Sequence, residues 1–217
     1  MKRTLLAFAV VAGFAPALAT AEGPALGVKV STLGLGLELT QAFTPSFAAR
    51  LGVNHFTYDF SDAYDDIDYD VDLALRSRSL IFDWHPLRDS FRLSLGYLRN
   101  LNNFKLRATP GSSVVIGNGT YTPAQVGTLN GRVGFKKDTP YLGFGWSSSG
   151  LRRGWSFDFD IGVVYQDVPS VLLSATGSAA SSPAFQSDLR REEQNIKDDI
   201  EDYRYYPVIS MGVSYHF

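Results

Sequence analysis

The sequence lacks cysteine altogether, which excludes a disulfide framework and any metal site built on thiolates. Beyond its N-terminal stretch it also lacks an apolar run of about twenty residues, so we expect no transmembrane helix. Charge of one sign is scarce as well, because the formal net charge is only −2. A near-neutral chain gives no electrostatic reason to bind nucleic acid. We therefore predict no nucleic-acid partner. We also predict no cofactor.

The first residues, MKRTLLAFAVVAGFAPALATAEG, have the layout of a secretory signal peptide. A positive Lys-Arg pair precedes a short apolar run at 5–14, and small residues then provide cleavage patterns ending near 19–21. The apolar run is too short to cross a bilayer as a helix. We predict a cleaved signal peptide over 1–21, followed by a single domain over 22–217.

The dominant pattern after the signal segment is strict alternation of apolar and polar residues. In WSFDFDIGVVY, aromatic and aliphatic residues alternate with Ser, Asp and Gly. A period of two indicates β-strands with one apolar face. The pattern predicts seven such strands, over residues 33–43, 47–60, 70–85, 91–108, 133–147, 154–175 and 205–217.

The two faces of these strands indicate a closed transmembrane barrel rather than a soluble sandwich. The polar faces are rich in Gly and Ser, which suits a narrow lumen, and the apolar faces carry aromatics at their ends, as a lipid-facing band does. Tight turns such as FTPSF alternate with long loops such as SDAYDDIDYD. Such barrels have an even number of strands, and the apolar parity changes at Ser31–Thr32, which indicates a turn or bulge. We predict a short first strand near 22–31 and an all-β, closed antiparallel transmembrane β-barrel of eight strands.

Two segments between the strands have local structure of their own. The stretch SSPAFQSDLRREEQNIKDDIEDY carries a thin apolar stripe at helical spacing, with Ser182 able to cap it and Pro183 suited to the first helical position. We predict one amphipathic helix over 184–203, before the last strand, which either covers the barrel mouth or docks a partner. The stretch VVIGNGTYT predicts a β-hairpin with a Gly-Asn-Gly turn.

The signal segment, the period of two, the alternating loop lengths and the terminal VSYHF resemble the small bacterial outer-membrane β-barrel proteins, in the style of the outer-membrane protein A transmembrane domain and the W-type barrels. This resemblance implies export to the outer membrane of a Gram-negative bacterium, in contact with outer-membrane lipids and lipopolysaccharide. It also implies an assembly signal read by the barrel-assembly machinery, made of alternate residues near the C-terminus. The residues that fit it are Ile209, Met211, Val213, Tyr215 and Phe217. The resemblance identifies no activity and leaves the oligomeric state open.

Several charged residues fall on strand faces that we predict to point into the lumen. An eight-stranded barrel has an interior just wide enough to be filled by side chains, so charges there must pair. We interpret the set as a structural ion-pair network, with a pore constriction or a catalytic pair as the alternatives. Its members are Glu38, Arg50, Arg76, Arg78, Arg92, Asp158 and Asp160.

The acidic stretch DFSDAYDDIDYDVD is a weak candidate for divalent-cation binding, because alternate carboxylates can ligate calcium. The EF-hand pattern fails, however, since counting from Asp66 places Val71 where glycine is needed and Ser77 where glutamate is needed. We therefore predict a solvated outer loop and no defined metal site. The carboxylates in question are Asp62, Asp65, Asp66, Asp68 and Asp70.

The function predicted from these features is a non-enzymatic outer-membrane barrel that is structural or weakly pore-forming. One alternative is a lipid-modifying enzyme such as a lipid hydrolase, since His55 and Thr57 share a strand face and could form a His–hydroxyl pair. No third, orienting acid is visible for that pair. A second alternative is a surface-binding module that acts through its outer loops.

Overall fold

Eight strands close into a barrel in the computed structural model, which describes residues 23–64 and 67–217. The predicted signal peptide lies outside the described residues. The eight barrel strands are β1 (Ala25–Ser31), β2 (Gly34–Thr44), β3 (Phe47–Tyr64), β4 (Ile67–Trp84), β5 (Phe91–Asn100), β10 (Asp138–Ser147), β11 (Gly154–Tyr165) and β13 (Tyr205–His216). The remaining elements are β6 (Asn103–Pro110), β7 (Val114–Ile116), β8 (Gly119–Tyr121), α1 (Pro123–Val126), β9 (Leu129–Gly134), β12 (Ser170–Ala175), α2 (Pro183–Asp199) and a 3₁₀ turn over Glu201–Arg204.

Antiparallel pairing of neighbouring strands closes the barrel. β1 pairs with both β2 and β13, while β4 pairs with β5, β5 with β10 and β10 with β11. Following directly paired residues once around the barrel from Tyr206 leads to His216 on the same strand, a stagger of 216 − 206 = 10 residues. A stagger of this kind requires the strands to tilt from the barrel axis. The predicted closed barrel of eight strands is confirmed.

The predicted first strand and the turn that follows it are also present. β1 ends at Ser31, whose hydroxyl donates to the carbonyl of Gly34 at 3.0 Å and accepts from the amide of Leu33 at 3.1 Å. Gly34 has a φ of 102°, a conformation that suits glycine. The parity change at this point therefore comes from a two-residue turn.

Three of the predicted strands are wrong in extent, because each spans a point where the chain bends out of the barrel. The predicted strand 91–108 divides into β5 and β6, 133–147 into β9 and β10, and 154–175 into β11 and β12. The last corner contains Asp167 at a φ of 63°, which the side chain stabilises by accepting from the amide of Val168 at 2.9 Å. That same hydrogen bond lowers the pKa of the Asp167 carboxyl, and Lys136 lowers it further.

The outward-bent segments form a second sheet above one side of the barrel, which we call the outer sheet. Its order is β12-β9-β6-β4-β3, with β6 pairing with the first half of β4 and β3 with the whole of it. The stretches that the sequence predicted as long loops therefore contain paired strands. The outer sheet stands at one end of the barrel, which we call the loop end. The turns at 45–46, 85–90 and 148–153 lie at the opposite end, which we call the turn end.

A small hydrophobic core joins α2 to the outer sheet. Phe185 and Leu189 of α2 are buried against Val126 and Ile116. The ring of Tyr121 meets Phe185 edge-on at 4.7 Å, and its hydroxyl donates to Asp188 at 2.6 Å, which raises the pKa of the tyrosine. The predicted helix and the β7–β8 hairpin are present, although α2 stops at Asp199 and its expected last turn is 3₁₀. None of the helices in the described part of the chain is both long and apolar enough for a membrane span.

The outer surface of the barrel is a continuous apolar belt. Leu95 is 64% exposed, Phe157 70% and Met211 62%, although each sits in the middle of a regular strand. Aromatic rings cluster at the turn end, where Trp155 contacts Tyr215 at 5.2 Å and Tyr215 contacts Phe217 at 5.1 Å. Exposed apolar area of this extent is expected for a surface covered by lipid.

Replacing Phe185 by alanine should release α2 while leaving the barrel intact. Truncation of a fully buried Phe costs roughly 3–5 kcal/mol, and the loss falls on the small core of the outer sheet rather than on the barrel ladders. We expect faster trypsin cleavage at Arg190, Arg191 and Lys197, with unchanged heat-modifiable migration of the barrel on gels.

The matched control is Tyr203→Ala, which removes an aromatic ring that is 60% exposed in the adjoining 3₁₀ turn. Equal cleavage of the Phe185→Ala variant and the control would show that this core does not hold α2.

Candidate functional site

The lumen contains a cluster of ionised side chains, which we call the lumen network. Alternation along each strand turns these side chains inward, while the apolar residues between them face outward. Six of the eight barrel strands contribute charged members, whereas β13 contributes serines and β10 only uncharged side chains at that level. The members are Lys29, Glu38, Arg50, Asp83, Arg92, Asp158 and Asp160.

Arg50 is the centre of the lumen network. Its Nε lies 2.6 Å from Asp83 Oδ2, and its Nη2 donates to Asp83 Oδ1 at 3.0 Å, so both carboxylate oxygens of Asp83 contact this guanidinium. Its Nη1 lies 3.2 Å from both Glu38 Oε1 and Asp160 Oδ2. Only 4% of the Arg50 side chain is exposed, so these contacts form in a site with little water. One guanidinium therefore binds carboxylates from three strands.

Asp160 connects Arg50 to the second arginine, Arg92. The Nη2 of Arg92 donates to Asp160 Oδ1 at 2.8 Å, and its Nη1 lies 3.5 Å from Asp158 Oδ1. Asp160 thus bridges two guanidinium groups, which come from the strands on either side of β4. Lys29 completes the network by pairing with Glu38 at 2.5 Å.

Serine hydroxyls satisfy much of the remaining hydrogen-bonding capacity of the carboxylates. Ser94 donates to Asp83 at 2.6 Å, and Ser214 donates to Asp158 at 2.6 Å. Ser210 donates to Asp160 at 3.2 Å. Serine on the inward faces thus supplies hydrogen-bond donors to the carboxylates of the network.

The space left inside the lumen network is about 30 Å³. That volume accommodates one or two water molecules. It is far below the volume of a hydrated sugar or amino acid, so the charged groups occupy the lumen instead of lining an open passage.

An apolar layer closes the lumen on the loop-end side of the network. Tyr141 is its largest member, and its ring lies against the backbone of Gly143 and Gly162, where any added Cβ would meet it at 2.4–2.5 Å. Farther out, Asn100 donates to Gln166 at 3.1 Å, and both residues are buried. The apolar layer consists of Leu33, Ile81, Leu98, Tyr141, Val164 and Val208, with Tyr206 packed on it.

Five of the seven charged residues predicted to point into the lumen come together there: Glu38, Arg50, Arg92, Asp158 and Asp160. For Arg76 and Arg78 the prediction is wrong, since both are exposed on the outside. In RSRSLIFDW the apolar residues Leu80, Phe82 and Trp84 occupy the outward positions, and the two arginines share their parity. The serines between them, Ser77 and Ser79, are the buried residues.

Sequence reasoning missed two members of the lumen network, Lys29 and Asp83. The parity of Leu80, Phe82 and Trp84 assigns Asp83 to the inward face, so that signal was available in the sequence. Lys29 alternates with Val28 and Val30, which are 58% and 62% exposed. The same alternation places its amino group inside.

The His–hydroxyl pair suggested by the sequence exists, but without an orienting acid. Thr57 Oγ1 lies 3.3 Å from His55 Nε2, on the exposed surface of β3. Within the described residues, no carboxylate contacts His55. His85 lies at the turn end, where its Nδ1 is 3.1 Å from the carbonyl of Asp89.

The acidic stretch forms the distal part of the β3–β4 hairpin rather than a long loop. Asp70 accepts from Ser61 at 2.6 Å and lies opposite Arg107, while Asp72 lies opposite Lys105. Cross-strand partners of opposite charge thus offset these carboxylates. Asp65 and Asp66 lie outside the described residues, and among the described residues no group of three or more ligand-type side chains is placed to hold a metal. The other two carboxylates named above, Asp62 and Asp68, lie on β3 and β4.

The predicted assembly residues lie on the outward face of β13 and in the residue after it. Ile209, Met211 and Phe217 are exposed, and Val213 and Tyr215 are partly exposed. All five thus contribute to the apolar belt. Their recognition during assembly remains a prediction.

Comparison with solved structures identifies two similar proteins of Acinetobacter baumannii. CarO aligns with a TM-score of 0.59 and 22% identity over 90% of this chain and 98% of its own. CarO2 aligns with a TM-score of 0.60 and 21% identity over 90% of this chain and 99% of its own. The chain has the fold of the eight-stranded outer-membrane β-barrel proteins. A major outer membrane protein from Thermus thermophilus aligns more loosely, with a TM-score of 0.43 and 15% identity over 91% of this chain and 100% of its own. No protein-family model and no curated protein matches the sequence.

Replacing Arg50 by alanine should destabilise this outer-membrane-type barrel by roughly 3–5 kcal/mol, because Asp83 and Glu38 would lose their main cationic partner in a buried site. Urea unfolding of the refolded protein in lipid vesicles, followed by tryptophan fluorescence, measures the change.

The control is Arg153→Ala, since Arg153 is exposed in the turn between β10 and β11. A loss of stability for Arg50→Ala no greater than that of this control would mean that the lumen network contributes little to folding.

Proposed function

We propose that this chain is a non-enzymatic outer-membrane protein whose barrel anchors the outer sheet at the cell surface and does not conduct solutes steadily. The observation that carries the proposal is the filled lumen, in which the lumen network leaves about 30 Å³. Short turns at the periplasmic end and long connections at the extracellular end are the rule for such barrels, so the outer sheet faces the outside.

Two consecutive barriers of different chemistry support a closed barrel. A polar solute that passed the network would next meet the apolar layer around Tyr141, where it would lose hydrogen bonds without compensation. An apolar solute would have to enter among buried ion pairs. Thermal opening of one layer thus leaves the other in place, which permits only brief and small openings.

The non-enzymatic assignment rests on the candidate catalytic groups. A His–hydroxyl pair becomes nucleophilic when a third group orients the histidine, and His55 has no carboxylate contact among the described residues. Mass profiles of lipid A and phospholipids from cells with and without the protein test this part, and a new lipid species that depends on His55 would contradict it.

Single-channel recording in planar bilayers tests the closed lumen. We expect purified protein to give no steady nanosiemens-scale steps, at low or at high salt, because buried ion pairs are weakly screened by added salt. The variant Ile81→Ala/Leu98→Ala, which thins only the apolar layer, should also stay closed because the lumen network remains.

The matched control carries the same substitutions at neighbouring outward positions, Leu80→Ala/Leu95→Ala, which face lipid and not the lumen. Steady large steps from the unmodified protein would disprove the proposal. Steady steps from the Ile81→Ala/Leu98→Ala variant alone would show that the apolar layer is the single gate.

A further inference from the structure

Three arginines interrupt the outward face of the barrel at its loop end. On β4 the outward residues change from Leu80 to Arg78 and then Arg76, and on β5 they change from Tyr97 to Arg99. All three arginines are exposed. The apolar belt therefore ends on these two strands in a group of cations, which we call the arginine patch.

The arginine patch carries more positive charge than its protein neighbours offset. Arg78 lies directly opposite Arg99, and like charges in that arrangement repel. Arg76 lies on the same face, two residues farther along β4, at about 7 Å. The carboxylate of Asp138 is 3.6 Å from Arg99, and among the described residues neither Arg76 nor Arg78 forms an ion pair.

Arg76 and Arg78, which have no carboxylate partner among the described residues, leave positive charge that an external anion can offset. A lipid-facing arginine is unfavourable deep in a bilayer and tolerated near its interfaces, so the patch marks the outer boundary of the belt. Guanidinium groups bind phosphate in a two-pronged geometry that fixes its orientation. Neighbouring arginines on two paired strands can converge on one such group.

An apolar groove begins beside the arginine patch on the same surface. Val53 lies directly opposite Arg78, and His55 lies directly opposite Arg76. Both residues line an outward-facing groove of about 840 Å³ that continues across β2 and β1 to Phe157 of β11. Most of the side chains that line it are aliphatic. A ligand bound to the arginines thus has an adjacent surface suited to a hydrocarbon chain.

We propose that the arginine patch and the groove together form a binding site for a phosphorylated acyl glycolipid of the outer leaflet, with a glucosamine-linked phosphate on the arginines and an acyl chain in the groove. The site rests on the barrel's placement in the outer membrane. It does not depend on a closed lumen, so lipid binding can fail while the conductance result stands.

The test uses the purified full barrel in detergent and lipid A as the probe, with binding followed by native mass spectrometry over a lipid titration. Bisphosphorylated lipid A should bind saturably. Enzymatically dephosphorylated lipid A, phosphatidylglycerol and inorganic phosphate should each bind at least about tenfold more weakly. The first lacks the phosphate, and inorganic phosphate lacks the acyl chains. Phosphatidylglycerol has only a singly charged phosphodiester, whose two ester bonds leave fewer oxygens for the arginines than the phosphate monoester of lipid A.

A variant with Arg76→Gln, Arg78→Gln and Arg99→Gln should lose at least about tenfold in affinity for lipid A, as expected when several charge-assisted hydrogen bonds are removed. The control removes the same charge elsewhere, with Arg153→Gln, Arg190→Gln and Arg191→Gln, and should bind within about twofold of the unmodified protein.

Several results would overturn the proposal. Equal binding of the two lipid A forms would exclude the phosphate contact, and equal binding of phosphatidylglycerol would exclude a glycolipid site. Saturable binding of inorganic phosphate as tight as that of lipid A would indicate a free-phosphate site instead. Unchanged affinity in the Arg76/Arg78/Arg99 variant would show that the arginine patch does not bind lipid A. If that variant does not fold, the comparison of the two lipid A forms on the unmodified protein tests the phosphate contact instead.

Discussion

The need to pair buried charges governs the interior of this barrel. Arg50 carries a permanent charge in a site with little water, and leaving it unpaired would cost several kcal/mol. Its partners Asp83 and Asp160 come from distant parts of the sequence, so the pairing forms only when the strands have the correct stagger. The lumen network is therefore both the filling of the barrel and a constraint on its register.

The outside of the barrel is apolar, in contrast to the charged interior. Every barrel strand alternates between a residue that faces the lumen and a residue that contacts lipid, so a shift of one position would exchange the two sets. The change from Leu80 to Arg78 on the outward face of β4 marks where the apolar belt ends. Just beyond this level β4 no longer pairs with β5 in the closed barrel and pairs with β6 of the outer sheet instead.

The sequence predicts the barrel well because alternation is a local property, and the two-residue turn after Ser31 is visible as a change of parity. The prediction joins β11 and β12 into one strand because apolar residues resume the same parity at Val171 and Leu173, after a corner that depends on the backbone of Asp167. The error at Arg76 and Arg78 has another origin. The prediction assumes that an arginine avoids lipid, whereas the apolar residues Leu80, Phe82 and Trp84 determine which residues of β4 face outward. Only the pairing of β4 with β5 shows that Arg78 lies opposite Arg99.

The β3–β4 hairpin has a mechanical consequence. Each strand is 18 residues long without a break, which corresponds to about 60 Å of continuous ladder. The same two strands hold Arg50 and Asp83 near one end and the acidic surface near the other. A load applied along the strands at the far end of the hairpin is carried by both backbones together, because the continuous ladder holds them in register. The hairpin thus connects the acidic surface at one end directly to the ion pairs of the lumen at the other.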